Sequence, residues 1–169
     1  MATLVAGYFR LLKALVGLLL AGMVVLVFSN VVLRYAFGSG ITVSEEIARW
    51  FFVWLVFLGA IVGLREHAHL GVDTMLLMLG PRGRRICYVA GHALMILCSA
   101  LLVKGSFAQT MINWDVKAPA TGWSVGLFYG VGLIFGVSAI AILSYELVQA
   151  LLGRVSHEDL IAIRESEEN

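Results

Sequence analysis

Charged residues divide the chain into four long apolar runs. Between Lys13 and Arg34 stand 20 residues without a charge, Ala14–Leu33. At about 1.5 Å per helical residue this run is ~30 Å long, the thickness of a bilayer's hydrocarbon layer. Trp50–Leu64 is short for a span at 15 residues, but Ile41–Leu64 is long enough with some tilt. Ile86–Val103 adds 18 residues and continues, less purely, to Trp114. Ala118–Tyr145, 28 residues between Lys117 and Glu146, holds the fourth. The pattern predicts an all-α integral membrane protein with four transmembrane helices, at about 11–34, 43–65, 84–112 and 122–152. They form one membrane domain over 1–153, followed by a polar tail at 154–169. The first run is longer than the apolar part of a signal peptide, and "VFSNVVLRY" offers no small-residue cleavage site, so it is expected to be a retained span.

Composition agrees with lipid as the solvent. The chain is 60% hydrophobic and only 14% charged, with mean hydropathy +0.93, against about 45–50% apolar and roughly 25% charged in soluble domains. A net charge of +1 argues against a nucleic-acid partner, which needs a basic face. The distribution of Lys and Arg orients the spans. With the N-terminus inside, Arg10, Lys13, Arg65, Arg82, Arg84, Arg85, Arg154 and Arg164 face the cytoplasm, and Arg34, Arg49 and Lys117 face outward. Both termini are therefore expected to be cytoplasmic. Cys87 and Cys98 lie about 16 Å apart on one helix, too far for a disulfide.

The polar segments between spans carry the remaining expectations. Thr42 and Glu45 have the spacing of a capping box, and Glu45 and Glu46 suit the positive end of a starting helix. A second reading gives Glu46 and Arg49, three apart on one face, a contact with a partner protein. "REHAHLGVDTMLLMLGPRGRR" predicts a span end, a short interfacial helix capped by Asp73, and a stop at Gly80-Pro81. His67 and His69 are two apart and point to different sides of a helix, so a shared metal is not expected. His92, inside the third run, is expected to bond a neighbouring helix. Lys104, Gln109 and Asn113 form either a polar strip against another protein or a surface extension of the helix. In the fourth run, glycines at 122, 126 and 130 and at 132 and 136 suggest two close-packing ridges. One would serve this chain and the other a second subunit, unless both serve the chain alone. Glu146 sits at the cytoplasmic boundary or just inside it and paired.

The catalytic motifs are missing. No nucleophile elbow, phosphate loop, dinucleotide fingerprint or metal-ligand cluster stands in the sequence. One histidine within the spans is too few for a b-type haem anchor. No acid lies near the middle of a span, as a small proton-coupled carrier would require, and no inverted pair of broken spans marks a transport site. A scaffold for another protein fits better than a redox anchor or a stand-alone transporter.

The stretch Asn30–Asp73 narrows this further. It contains N-V-x-L-R-Y at Asn30–Tyr35, S-E-E-x-A-R at Ser44–Arg49, F-x-W-L-x-F-L-G at Phe52–Gly59 and A-H-L-x-V-D at Ala68–Asp73. In these motifs the chain resembles the small membrane (Q) subunit of tripartite ATP-independent periplasmic (TRAP) transporters. "WDVKAPATGWSVGLFY", Trp114–Tyr129, matches more weakly, and the four-span plan agrees. The resemblance implies a non-catalytic scaffold in the bacterial inner membrane. Its partners would be the large TRAP membrane subunit, a periplasmic substrate-binding protein and membrane lipid. Transport would be driven by a sodium gradient and would import organic anions: carboxylates, sugar acids or sulfonates. No catalytic, metal or cofactor residues are expected. The expected partner interface is Arg34, Glu45, Glu46, Arg49, Trp50, Trp54, Trp114 and Asp115.

Overall fold

The computed structural model describes residues 2–66 and 81–152. It contains four long helices: α1 (Ala2–Phe37), α2 (Thr42–Arg65), α3 (Pro81–Ile112) and α4 (Gly126–Leu151). All four are long and apolar enough to cross a membrane. The predicted interfacial helix, His67, His69, Asp73 and the acidic tail lie outside the described residues.

Two helix boundaries differ from expectation, each for a local reason. α1 starts well before the first apolar run: no proline interrupts Ala2–Leu12, and Phe9 and Leu12 hold this part of the helix against the core. It ends where Gly38 takes the left-handed φ of 64°, and the Ser39 N–H turns back to the Leu33 carbonyl at 3.2 Å. The fourth span was expected from about residue 122, but 113–125 folds first as a small hairpin. Lys117 and Ser124 form an antiparallel bridge. The Ala118 N–H reaches the Trp123 carbonyl and the Val125 N–H the Val116 carbonyl, both at 2.8 Å. Gly122, at φ 72°, makes the turn. Pro81 opens α3 at the position where a missing N–H costs nothing.

The helices do not close into a bundle. α1 packs antiparallel on α2, α3 packs antiparallel on α4, and the two hairpins meet mainly through α2 and α4, with the hydroxyls of Tyr8 on α1 and Ser138 on α4 also bonded at 2.9 Å. The order across the molecule is α1–α2–α4–α3, an open row. In their most apolar windows, α2 and α4 are 28% and 33% buried, whereas the edge helices α1 and α3 reach only 6% and 11%. Phe9, Leu12, Leu58, Ile61 and Val131 form the core of the α1–α2–α4 seam, with Phe57 and Phe135 edge-on at 5.6 Å. Leu64, Ala139 and Leu143 continue it toward Ile96 of α3. In lipid these contacts stabilise by close packing rather than by removal of water.

The α3–α4 seam shows what the glycines do. A Cβ on Gly126 would sit 2.9 Å from the Thr110 carbonyl oxygen, and one on Gly132 or Gly136 would collide with Ser106 or Val103. Gly130 faces open space, and Gly122 belongs to the hairpin turn. The two-ridge pattern is thus a single close seam within the chain, carried by Gly126, Gly132 and Gly136. Deeper along it, His92 Nε2 lies 3.3 Å from a Glu146 carboxylate oxygen, and Tyr88 stacks on the imidazole at 4.0 Å. His92 bonds the neighbouring helix as expected, and Glu146 is paired rather than free at the boundary. At the end of the seam, Arg85 donates to the Leu151 carbonyl at 3.2 Å and to that of Ala150 at 3.5 Å. It satisfies two of the terminal carbonyls that α4 leaves open.

Candidate functional site

The polar residues of the recognised motifs gather at one end of the row, the end expected to face the periplasm. Asn30 and Arg34 stand one turn apart near the end of α1. Glu45 stands in the first turn of α2. The Glu45 carboxylate accepts from Arg34 Nη2 and, at 3.1 Å, from Asn30 Nδ2. Asn30 Oδ1 in turn accepts the Ile41 N–H at 2.7 Å, and Ser44 Oγ donates to the Leu26 carbonyl at 3.0 Å. The short link between α1 and α2 is thereby tied at four points.

This replaces the expected capping box. Ile41, in extended conformation, is the N-cap of α2 and makes no side-chain cap bond; Thr42 is already helical. The capping geometry fails because Glu45 reaches across to α1 instead of back to its own helix start. There both partners are charged, whereas a cap bond would pair the carboxylate with an uncharged backbone N–H.

Glu46 points the other way, across α2 to the α3–α4 hairpin. It is buried, at 9% exposure. Its carboxylate accepts the Ala120 N–H at 2.9 Å, the Thr121 N–H at 3.2 Å and the Thr121 hydroxyl. One turn deeper, Trp50 lies edge-on to Trp123 at 5.9 Å and to Phe128 at 5.7 Å. Trp54 continues this face into the core. The face Glu46–Trp50–Trp54 therefore joins the two helix hairpins.

The eight residues expected at a partner interface separate into two groups. Glu46, Trp50 and Trp54 are turned inward against this chain, and Glu45 is held by Asn30 and Arg34. Arg34, Arg49, Trp114 and Asp115 are exposed on the same rim. Trp114 is 54% exposed although its carbonyl accepts Ser124 Oγ at 2.5 Å. Lys104 is also exposed, and Gln109 and Asn113 bond each other along the last turn of α3. Roles missed in the sequence are those of Asn30, Ser44 and Thr121. Asn30 and Arg34 at helical spacing just before a tight link were the available signal for the first. Thr121 gave none, because it lies 75 residues from Glu46.

Comparison with known proteins gives the family. Residues 23–153 match the family described as the DctQ component of tripartite ATP-independent periplasmic transporters. A protein of Haemophilus influenzae named as a putative TRAP transporter small permease is 40% identical over 133 residues, covering 79% of this chain and 83% of its own. A second from the same organism, with the same name, is 31% identical over 83% of this chain and 85% of its own length. The C4-dicarboxylate TRAP transporter small permease DctQ of Vibrio cholerae is 32% identical over 93 residues, 55% of this chain and 40% of that one. With four membrane-spanning helices and such relatives, this is a multi-pass protein of the bacterial inner membrane, and it belongs to the DctQ-component family, the small permease subunits of the tripartite ATP-independent periplasmic transporters.

Proposed function

We propose that this chain is the stationary, non-catalytic subunit that holds the large membrane subunit while that subunit carries the substrate. One observation carries the reading: the helices form an open row whose edge helices, α1 and α3, leave most of their apolar residues exposed. A transport path needs polar groups lining a cavity at membrane depth. Here the rim carboxylates Glu45 and Glu46 are engaged by the chain's own donors, and the deep pair His92–Glu146 closes a helix seam. A row with two free flanks is instead a shape that another membrane protein can extend.

In this reading the transport cycle runs on a sodium gradient and imports organic anions, whether carboxylates, sugar acids or sulfonates. A periplasmic binding protein delivers them. The carboxylate class is supported by the name of the Vibrio cholerae relative. The rim residues Arg34, Arg49, Trp114 and Asp115 supply an exposed docking edge for the binding protein, with Glu45, Glu46, Trp50 and Trp54 holding it in shape. The test is purification of the tagged chain from its native membrane. A large membrane protein should co-purify and be identified by mass spectrometry, and uptake in liposomes should require both chains and the binding protein. Uptake by this chain alone, or full uptake without it, refutes the proposal. Arg49→Glu with Asp115→Lys should raise the binding-protein concentration needed for half-maximal uptake, and an unchanged value removes the docking edge.

A further inference from the structure

At the opposite end of the row, α1 and the end of α2 border a half-open pocket of about 460 Å³ lined by Ala6, Phe9, Arg10, Lys13, Arg65 and Glu66. Among the described residues, three cations stand here against one carboxylate. Lys13 Nζ is 2.5 Å from Glu66 Oε1, and the Arg65 guanidinium lies over the Phe9 ring at 4.0 Å. Arg10 is exposed. Glu66 offsets the Lys13 charge, so among the described lining residues the two guanidinium groups are in excess. We propose that this pocket binds the phosphodiester headgroup of an anionic phospholipid from the surrounding leaflet.

Three features favour a lipid over other anions. The first is depth: Lys13 and Arg34 bound the charge-free run of α1, so Arg10 and Lys13 sit at headgroup level. The second is chemistry. Guanidinium groups present paired N–H donors that match the non-bridging oxygens of a phosphate, and Arg is less strongly hydrated than Lys. The third is the surface that follows. Lys13, Gly17, Leu20 and Val24 are spaced by four, three and four residues and share one face of α1. Leu20 and Val24 are exposed, and the space over Gly17 is open. A charged cup thus leads directly into an apolar track, which suits a headgroup with acyl chains and not a free ion. With the orientation expected from the Lys and Arg distribution, this is the cytoplasmic leaflet, where anionic lipids attract basic residues.

The test uses the full chain co-purified with its large membrane subunit in detergent, titrated with dioleoylphosphatidylglycerol and followed by native mass spectrometry. Phosphatidylglycerol should bind about tenfold tighter than phosphatidylcholine, the scale of one charge-assisted contact. Arg10→Gln with Arg65→Gln should abolish that preference, while Arg10→Lys with Arg65→Lys should keep part of it. Gly17→Leu fills the track and leaves every charge in place; it should weaken phosphatidylglycerol binding in an intact complex. It decides the matter if the double glutamine variant does not assemble. Equal binding of the two lipids by the unaltered complex overturns the proposal, as does an unchanged preference in the variants. Displacement by inorganic phosphate as effective as by the lipid itself would also overturn it, showing a site for the free ion. Loss of the large subunit from the glutamine variant, with Gly17→Leu binding lipid normally, would show that the cations meet a partner carboxylate instead. None of these results alters whether the chain serves as scaffold, which co-purification reads separately.

Discussion

Gly126→Ala tests whether the α3–α4 seam limits how the outer hairpin is held. A Cβ at this position would meet the Thr110 carbonyl oxygen at 2.9 Å, Trp114 Cε3 at 3.0 Å and Trp114 Cα at 3.1 Å. Carbon–carbon contacts settle at about 3.5–4.0 Å, so the neighbours must retreat by roughly 0.5 Å. Two of the three atoms are backbone and cannot turn aside as a side-chain tip would. Overpacking of this kind costs about 1–3 kcal/mol. Gly130→Ala is the internal control: it is one turn further along the same helix and meets nothing within 4 Å. There the added methyl raises helix propensity, a gain of about 0.5–1 kcal/mol. For a chain of this size 1 kcal/mol moves the midpoint by about 2–4 °C. In a thermal melt of the detergent-solubilised chain, Gly126→Ala should therefore lower the midpoint by about 2–12 °C. Gly130→Ala should leave it unchanged or raise it by up to about 4 °C. A Gly126→Ala protein that melts with or above Gly130→Ala would refute the assignment of Gly126 to a close contact.

Glu46→Ala leaves the Ala120 and Thr121 donors without their acceptor, at about 1–3 kcal/mol for each donor that stays buried. Hydrogen exchange at residues 117–124 should speed up at least tenfold, and rates equal to the unaltered protein would remove Glu46 from the hairpin. Arg34→Glu should destabilise the α1–α2 link by placing like charges together, and adding Glu45→Arg should recover part of the loss. A double-mutant cycle with no coupling between the two would deny their pairing. Glu146→Leu removes the partner of His92 within the α3–α4 seam. Its cost should be about 1–3 kcal/mol, less when combined with His92→Leu than the two single changes added.

The open row alters what stability means for this chain. A closed four-helix bundle hides its small residues and seams from the solvent. Here α1 and α3 each pack along one flank, and their remaining surface is covered by whatever surrounds the chain. Surface of this kind is normal against lipid and equally suited to another membrane protein. The seams that hold the row therefore rely on close backbone approach at Gly126, Gly132 and Gly136, and on polar ties at both ends. These ties are short-range and directional, which is how few contacts can keep four helices in one order.

Much of this was legible along the chain itself. Apolar runs of membrane length bounded by charges lead to four spans, because backbone polar groups in lipid must be satisfied within a helix. The motifs at Asn30–Tyr35 and Ser44–Arg49 were enough to indicate the family that residues 23–153 match. These are properties of local sequence and need no knowledge of which helix lies beside which. The order α1–α2–α4–α3, the direction in which Glu45 and Glu46 point, and the single glycine seam were decided only by the tertiary structure. Neighbouring carboxylates differ by about 100° around a helix, so their partners depend on which elements flank that helix. Those elements, Arg34 before the helix and Thr121 75 residues beyond Glu46, are brought together by packing and not by spacing.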